Sequence, residues 1–475
     1  MNNITQNKGE IKIESKNRFS NKFLILVLAV IIVVNLCIAF LLHFIKPSVH
    51  HQAHEVIMTY HSISTPFIGI VSLLFLEIIE IRSRVYKLIK YTATIGGICG
   101  GIGAIFWAYT DLFLLHHLFL VGLSLLFLCA IFLVYGLIPG KEVKEAEYYR
   151  DIPKIAGFNI LHLSSVIIIG SMIVFAIFGA LAAIIMLAID EPFFLVEFEY
   201  VFNRGIDKEL FQELASFHMR LMNALLLTGV LILTFRYTRV KGKFAKIGLW
   251  FILIGVVAMT AGYFLVLVMG KAANAILMPA RALILFTGVI VAFDGWIKVS
   301  KEELGSEYGS ASFGSKIMAL LKNPLRLSMF VTYFLAGFIV VIPGMLIVTD
   351  LETYRDILNY PVERNFATGH PHVLITLGAI VVFSIIIHNL IPKNKMRKII
   401  GWILLASQLI IFPTAAFYFL RDPLDTVVES ALTHIIIGGL VLLFVDLLLF
   451  LGLTLHQAIF KREKFSEDIN PFVIE

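Results

Sequence analysis

Three histidines recur along this chain at nearly equal spacing, each at the start of a long apolar run. His61, His218 and His370 are separated by 157 and 152 residues and lie in the contexts TYH, SFH and TGH. Imidazole is costly to bury in a bilayer, so its repetition inside apolar runs indicates a repeated chemical role. Coordination of a metal ion or of a haem iron is a role that suits imidazole.

Further histidines extend this set of candidate ligands. His372 follows His370 in the stretch GHPH, and two side chains at i and i+2 of a helix point about 200° apart. The pair therefore suits two centres on opposite faces of one helix rather than one shared ion. The adjacent His116 and His117 begin another apolar run and are also candidate metal ligands. Hydrogen bonding between packed helices is the alternative role for all of these side chains.

The composition is that of a polytopic membrane protein. Hydrophobic residues make up 59% of the 475 residues and the mean hydropathy is +0.89, which is more apolar surface than a soluble domain needs. The pI of about 9.0 does not indicate nucleic-acid binding, because the basic residues lie in short loops between apolar runs. The three cysteines lie within apolar runs and predict neither a disulfide framework nor a CxxC metal site.

Apolar runs long enough to cross the hydrocarbon core, about 20 residues each, predict an all-α fold with twelve spans. Each span is expected to be helical, because unpaired backbone groups are costly in lipid. The glycines of residues 96–103 lie inside one span without a preceding strand, so they predict close helix packing of the GxxxG type rather than a nucleotide-binding loop. The spans lie near 23–45, 57–80, 91–110, 112–136, 157–188, 214–235, 247–270, 275–297, 327–349, 370–391, 399–420 and 430–455.

Lysine and arginine predict the orientation of these spans. With the N-terminus inside, the inner segments hold 30 of the 39 basic residues and the outer segments hold 9. Basic residues are enriched in cytoplasmic loops, so we expect a protein of the inner (cytoplasmic) cell membrane with both termini in the cytoplasm. Cytoplasmic tails at 1–22 and 458–475 flank a membrane domain at 23–457. This domain divides into three pseudo-repeated groups of four helices, at about 23–150, 155–300 and 325–457.

Charged and polar residues inside the spans are further candidates for function. Asp294 and Asp446 are candidate proton-relay groups, and Arg281 is a candidate partner for an anionic cofactor group. Pairing between helices is the alternative role for all three. His388 lies near an inner span end, where snorkelling to the interface accounts for it.

Twelve spans in three groups of four, with a histidine near the outer end of the second, sixth and tenth spans, resemble the large subunit of the haem-copper oxidases. That superfamily includes the nitric-oxide reductases, and its tenth span carries a His-x-His pattern. The resemblance implies that His61 and His372 ligate one haem and that His370 ligates a second. It also implies that His218 ligates the active-site metal. Arg421, which follows the eleventh span, and Arg281 would neutralise haem propionates.

The sequence departs from this family at the second metal. The family places two adjacent histidines on its seventh span as copper ligands, whereas the seventh span here has none. The sixth span reads HMRL from His218, which lacks the family's acidic partner and puts Arg220 beside the expected metal. The candidates to replace the missing ligands are His116 and His117. The expected cofactor is one or two haems of b type, while a copper or other second metal lacks its usual ligands.

The resemblance implies a haem-binding integral membrane redox protein that transfers electrons and binds or reduces a small diatomic ligand such as nitric oxide or oxygen. The resemblance also extends to membrane proteins that are similar to the oxidases and act in nitrosative stress. The expected partners are the lipid bilayer, haem, and membrane or periplasmic redox subunits that supply electrons from cytochrome c or quinol. The incomplete copper-ligand set leaves open whether the protein is an oxidoreductase enzyme.

Two other functions stay open. The chain could be a secondary transporter or metal-ion carrier that uses intramembrane histidines and aspartates, or a cofactor-free membrane anchor subunit. Secondary transporters are commonly built from inverted or paired halves. Three groups of four helices in one orientation do not match that pattern.

Overall fold

The computed structural model describes residues 18–45, 52–110, 112–138, 152–189, 222–341, 361–420 and 425–460. Helices account for nearly all regular structure in these ranges. A small hairpin pairs Lys154–Ile155 with Phe158–Asn159 in antiparallel register. Its turn places Ala156 and Gly157 at φ angles of 48° and 83°, the left-handed region that glycine adopts without steric cost.

Thirteen α-helices form within the described ranges. They are α1 (Arg18–Ile45), α2 (Gln52–Ile78), α3 (Ser83–Thr110), α4 (Phe113–Leu137), α5 (Ile160–Ile189), α6 (Met222–Tyr237), α7 (Gly242–Met269), α8 (Asn274–Leu304), α9 (Phe313–Leu321), α10 (Pro324–Leu335), α11 (Pro361–Leu390), α12 (Lys395–Leu420) and α13 (Thr426–Phe460). A π-helical turn, Ala336–Val341, continues α10. Short 3-10 turns at Gly270–Ala273 and Gly305–Gly309 flank α8.

Ten of these helices are long and apolar enough to cross a membrane, namely α1 to α5, α7, α8 and α11 to α13. Large apolar side chains such as Leu114 and Val268 are at least 80% exposed on them, as expected where a helix faces lipid rather than water. Each of the twelve predicted spans overlaps one helix. Two of these overlapping helices, α6 and α10, are outside the ten; α6 begins at a border of the described ranges, and the π-helical turn after α10 ends at one. The chain is therefore an all-α, multi-pass membrane protein.

Helix contacts run along the chain and return to its beginning. α1 packs against α2 and α3, and α3 packs against α4. Contacts then lead from α4 to α5, from α5 to α7, from α7 to α8 and from α8 to α10. The last links join α10 to α12, α12 to α13, and α13 back to α1. This succession brings the first and the last helix of the membrane domain together.

Glycines let α3 approach both of its neighbours. The backbones of Gly100 in α3 and Gly122 in α4 are in contact, so a Cβ atom on Gly122 would collide with Gly100. On another face of α3, Gly101 lies against the ring of Pro66 in α2. Small residues at helix interfaces permit such close approach in membranes. The predicted glycine packing in residues 96–103 is confirmed.

Candidate functional site

The second helices of the three predicted units, α2, α6 and α11, meet around one cavity. From α2, the Tyr60 hydroxyl donates a hydrogen bond to Oδ1 of Asn223 in α6, at 2.8 Å. From α11, Gly378 packs against Leu227 of α6. The cavity between these helices has a volume of ≈ 10 Å³, about the space that one water molecule needs. Its lining comprises Phe67 of α2, Asn223, Leu226, Leu227 and Val230 of α6, and Leu374, Ile375 and Gly378 of α11.

This cavity lies on the C-terminal side of the histidine positions on α2 and α11. Phe67 is six residues beyond His61, and Leu374 is four beyond His370, which correspond to about 9 and 6 Å along a helix at about 1.5 Å per residue. Pockets for drug-sized ligands measure about 300–1,000 Å³, so a porphyrin does not fit the cavity as it stands. Haem between these helices requires α2, α6 and α11 to lie further apart at this level.

His61 faces α4 rather than the cavity. Its ring meets that of Phe119 edge-on, with the ring centroids 5.5 Å apart. Successive residues of a helix point about 100° apart, which is why the preceding residue, Tyr60, can reach α6 while His61 reaches α4. A ligand role towards α11 therefore needs the His61 side chain to leave Phe119.

The other ligands predicted for the haems lie where side chains are not described. His370 and His372 belong to α11, whose backbone is helical at both positions. Their side chains, and the whole of His218 and Arg421, lie outside the described residues. The roles of these four residues stay predictions.

His116 and His117 lie at the beginning of α4, in an aromatic cluster with α3. The His116 ring packs on Trp107 with centroids 4.2 Å apart, and the two histidine rings are 5.7 Å apart. Phe119 contacts both Trp107 and His61, so this cluster brings all three histidines to the same side of α2. Among the described residues, no three His, Cys, Asp or Glu side chains converge on a possible metal position.

Arg281 is paired between two helices of the predicted second unit. Its guanidinium donates to the hydroxyl of Tyr263 in α7 and lies over the Tyr263 ring, 5.5 Å from the ring centroid. Such a cation–π contact adds to the hydrogen bond. The pairing between helices is thus observed, while the propionate role of Arg281 stays a prediction.

A polar cluster at the other end of α6 was not predicted from the sequence. The hydroxyl of Tyr237 lies 2.5 Å from Nδ1 of His388 in α11, and Arg326 of α10 donates to Nε2 of His388 at 3.2 Å. A guanidinium only donates, so Nε2 is the acceptor and Nδ1 carries the proton, which it donates to Tyr237. Asn389 also donates to the Tyr237 hydroxyl, at 2.9 Å. The predicted snorkelling of His388 is wrong, because its ring is held between α6 and α10.

The same end of the bundle contains a second set of polar links. Arg236 of α6 forms an ion pair with Glu80, just beyond α2, at 2.5 Å. The Nε2 atom of His162 in α5 donates to the Glu80 carbonyl at 2.9 Å. The Lys298 ammonium of α8 donates to two backbone carbonyls that follow α6, at 2.7 and 2.8 Å. These links join helix ends that were all predicted to be cytoplasmic, so those ends lie together.

The two aspartates predicted inside spans differ in their surroundings. Asp294 forms an ion pair with Lys298 at 2.5 Å, one turn later on α8. Asp446 of α13 is fully buried, and neither of its carboxylate oxygens has a hydrogen-bond partner among the described residues. An ion pair explains how Asp294 is accommodated in its span, whereas no described residue pairs with Asp446.

No protein-family model matches this sequence, and no curated protein matches it significantly. The fold and the described site define a class: an all-α, multi-pass membrane protein whose interior carries hydrogen-bonded polar clusters. The fold alone does not say what the protein binds, so its function has to be inferred from individual residues.

Proposed function

We propose that this protein is a haem-binding membrane redox protein with the architecture of the haem-copper oxidase large subunit. In this proposal twelve spans form three units of four, and haem lies between α2 and α11. His61 and His372 ligate one iron, and His370 ligates a second. The observation that carries the proposal is the meeting of α2, α6 and α11 around one cavity, on the C-terminal side of the histidines on α2 and α11.

The contacts of α6 support a division into three units. α6 bonds to the first unit through Tyr60 and Glu80. It bonds to the third unit through His388, and Tyr333 of α10 donates to the hydroxyl of Thr234 at 2.6 Å. The second helix of the middle unit thus touches both other units.

The proposed ligands determine the chemistry of the site. A haem with two imidazole ligands suits one-electron transfer, whereas a haem with one protein ligand can take a small diatomic molecule such as nitric oxide or oxygen. The chain's own residues would hold the iron, neutralise propionates and exclude water through the apolar cavity wall. The propionate partners in this proposal are Arg281 and Arg421, and the side chains left for any second metal are His218, His116 and His117.

A pyridine haemochrome spectrum of the purified protein from haem-replete cells tests the proposal. We expect a b-type spectrum, and we expect His61→Ala and His372→Ala each to remove the low-spin signal. His434→Ala is the matched control, since His434 is exposed and its Nδ1 bonds to the Ser430 carbonyl of its own helix at 2.6 Å. A folded wild-type protein without haem would overturn the proposal, as would a low-spin signal that survives both substitutions.

A further inference from the structure

Asp446 lies deep within a membrane-spanning helix. α13 has 35 residues, and Asp446 follows its first residue by 20 and precedes its last by 14, which correspond to about 30 and 21 Å of helix at about 1.5 Å per residue. The side chain is fully buried inside the protein. An ionisable group in this position is not exposed to lipid, and it is far from both helix ends, where it could snorkel to water.

The face of α13 that carries Asp446 packs against apolar residues. Seven residues earlier, Gly439 lies against Ile410 and Ile411 of α12. Four residues later, the ring of Phe450 meets Phe383 of α11 edge-on, with centroids 5.0 Å apart. Positions at i−7 and i+4 share one helix face with position i, so Asp446 is directed into the bundle between these contacts.

The carboxyl group of Asp446 has no counter-ion in the part of the chain that the structure describes. Neither oxygen accepts a hydrogen bond there, and no Lys, Arg or His of that part forms an ion pair with it. Asp294 provides the contrast within the same chain, since Lys298 lies 2.5 Å from its carboxylate. Burying a carboxylate without a partner costs several kcal/mol, whereas the protonated acid carries no charge.

We propose that Asp446 is a proton-binding site within the membrane, whose carboxyl group holds one exchangeable proton. A proton fits this site better than a metal cation does. Calcium and magnesium take about six or more oxygen ligands, and among the described residues no group of three His, Cys, Asp or Glu side chains that could hold a metal ion includes Asp446. This proposal does not rest on haem binding.

Infrared spectra of the full-length protein in liposomes, recorded in H2O and in D2O, test this site. We expect the C=O stretch of a protonated carboxyl group in the wild type, shifted to lower frequency in D2O and lost in Asp446→Asn. Asp294→Asn is the matched control and should keep the band, because the ion-paired Asp294 contributes a carboxylate signal. A wild-type spectrum without the band at neutral pH would overturn the proposal. A band that D2O does not shift would show a fixed, structural proton and would also overturn it.

A second measurement uses the wild-type protein, so it does not depend on the folding of a variant. Dicyclohexylcarbodiimide is an apolar reagent that modifies protonated carboxyl groups in apolar surroundings. Peptide mass spectrometry of the treated wild-type protein should locate the modification at Asp446 and leave Asp294 unmodified. Modification of Asp294 alone, or of neither aspartate, would contradict the proposal. Because both measurements read the carboxyl group directly, their failure leaves the haem proposal intact, and a protein without haem leaves this one intact.

Discussion

Tyr237 and His388 are 151 residues apart in the sequence, and the hydroxyl of Tyr237 lies 2.5 Å from Nδ1 of His388. This contact joins the C-terminal end of α6 to the C-terminal end of α11. Arg326 holds the other ring nitrogen of His388 and also pairs with Glu302 of α8. One imidazole therefore connects helices from the predicted second and third units, and this end of the bundle is held by polar bonds rather than by apolar packing alone.

Tyr237→Phe is expected to destabilise the protein by about 1–3 kcal/mol, because it leaves a buried imidazole N–H without its acceptor. Tyr91→Phe is the matched control, since Tyr91 is 57% exposed on the outer surface of α3 and should change stability little. Denaturant unfolding in a mild detergent measures both. Equal stability of the two variants would mean that the Tyr237 bond contributes nothing to the fold.

Lys298→Met is expected to cost about 2 kcal/mol, since it leaves a part-buried carboxylate unpaired and removes two bonds to the end of α6. Adding Asp294→Asn should restore part of this loss, because the amide carries no charge that needs a partner. The double variant should therefore be more stable than Lys298→Met alone. A double variant that is less stable than either single variant would show that Asp294 is held by other contacts.

Gly122→Ala is expected to lower stability by about 1–3 kcal/mol, because the new methyl group must push α4 away from Gly100. Gly438→Ala is the control: no atom lies within 4 Å of the position where its Cβ would be. In that open position alanine should be neutral or stabilise the helix by up to about 1 kcal/mol. In the same detergent, the melting temperature should fall for Gly122→Ala and should rise or stay unchanged for Gly438→Ala.

The sequence predicted the features that depend on local pattern. Apolar run length predicted the ten helices that are long enough to cross a membrane, and each of the two other predicted spans overlaps a shorter helix. The glycines of 96–103 indicated the close approach seen at Gly100 and Gly101. These signals are readable because a span needs about 20 apolar residues and because a helix face repeats every three or four positions. Both properties can be read from one continuous stretch of sequence, without knowing how the helices pack.

Features that depend on how helices are rotated against one another were not predicted. Tyr237, Arg326 and His388 are ordinary polar residues at three helix ends, and only packing brings them together. The same holds for His61, whose ring lies against Phe119 of α4 because of the rotation of α2 about its axis. A histidine's depth in a span can be estimated from the sequence, whereas the neighbour that it faces cannot.

The cavity between α2, α6 and α11 gives a last prediction, which tests the proposed position of haem. Gly378 lines this cavity, and a Cβ atom placed there would lie 3.3 Å from Leu227. In Gly378→Leu the added isobutyl group should fill the space between α6 and α11 that a porphyrin would need, so haem content per protein should fall by most of its wild-type value. Gly438→Leu adds the same side chain at an open position of α13 and should leave haem content unchanged.

Size-exclusion chromatography and melting curves establish that both variants are folded before haem is measured. Full haem content in a folded Gly378→Leu protein would place the cofactor elsewhere, because the leucine side chain and the porphyrin cannot occupy the same space between α6 and α11.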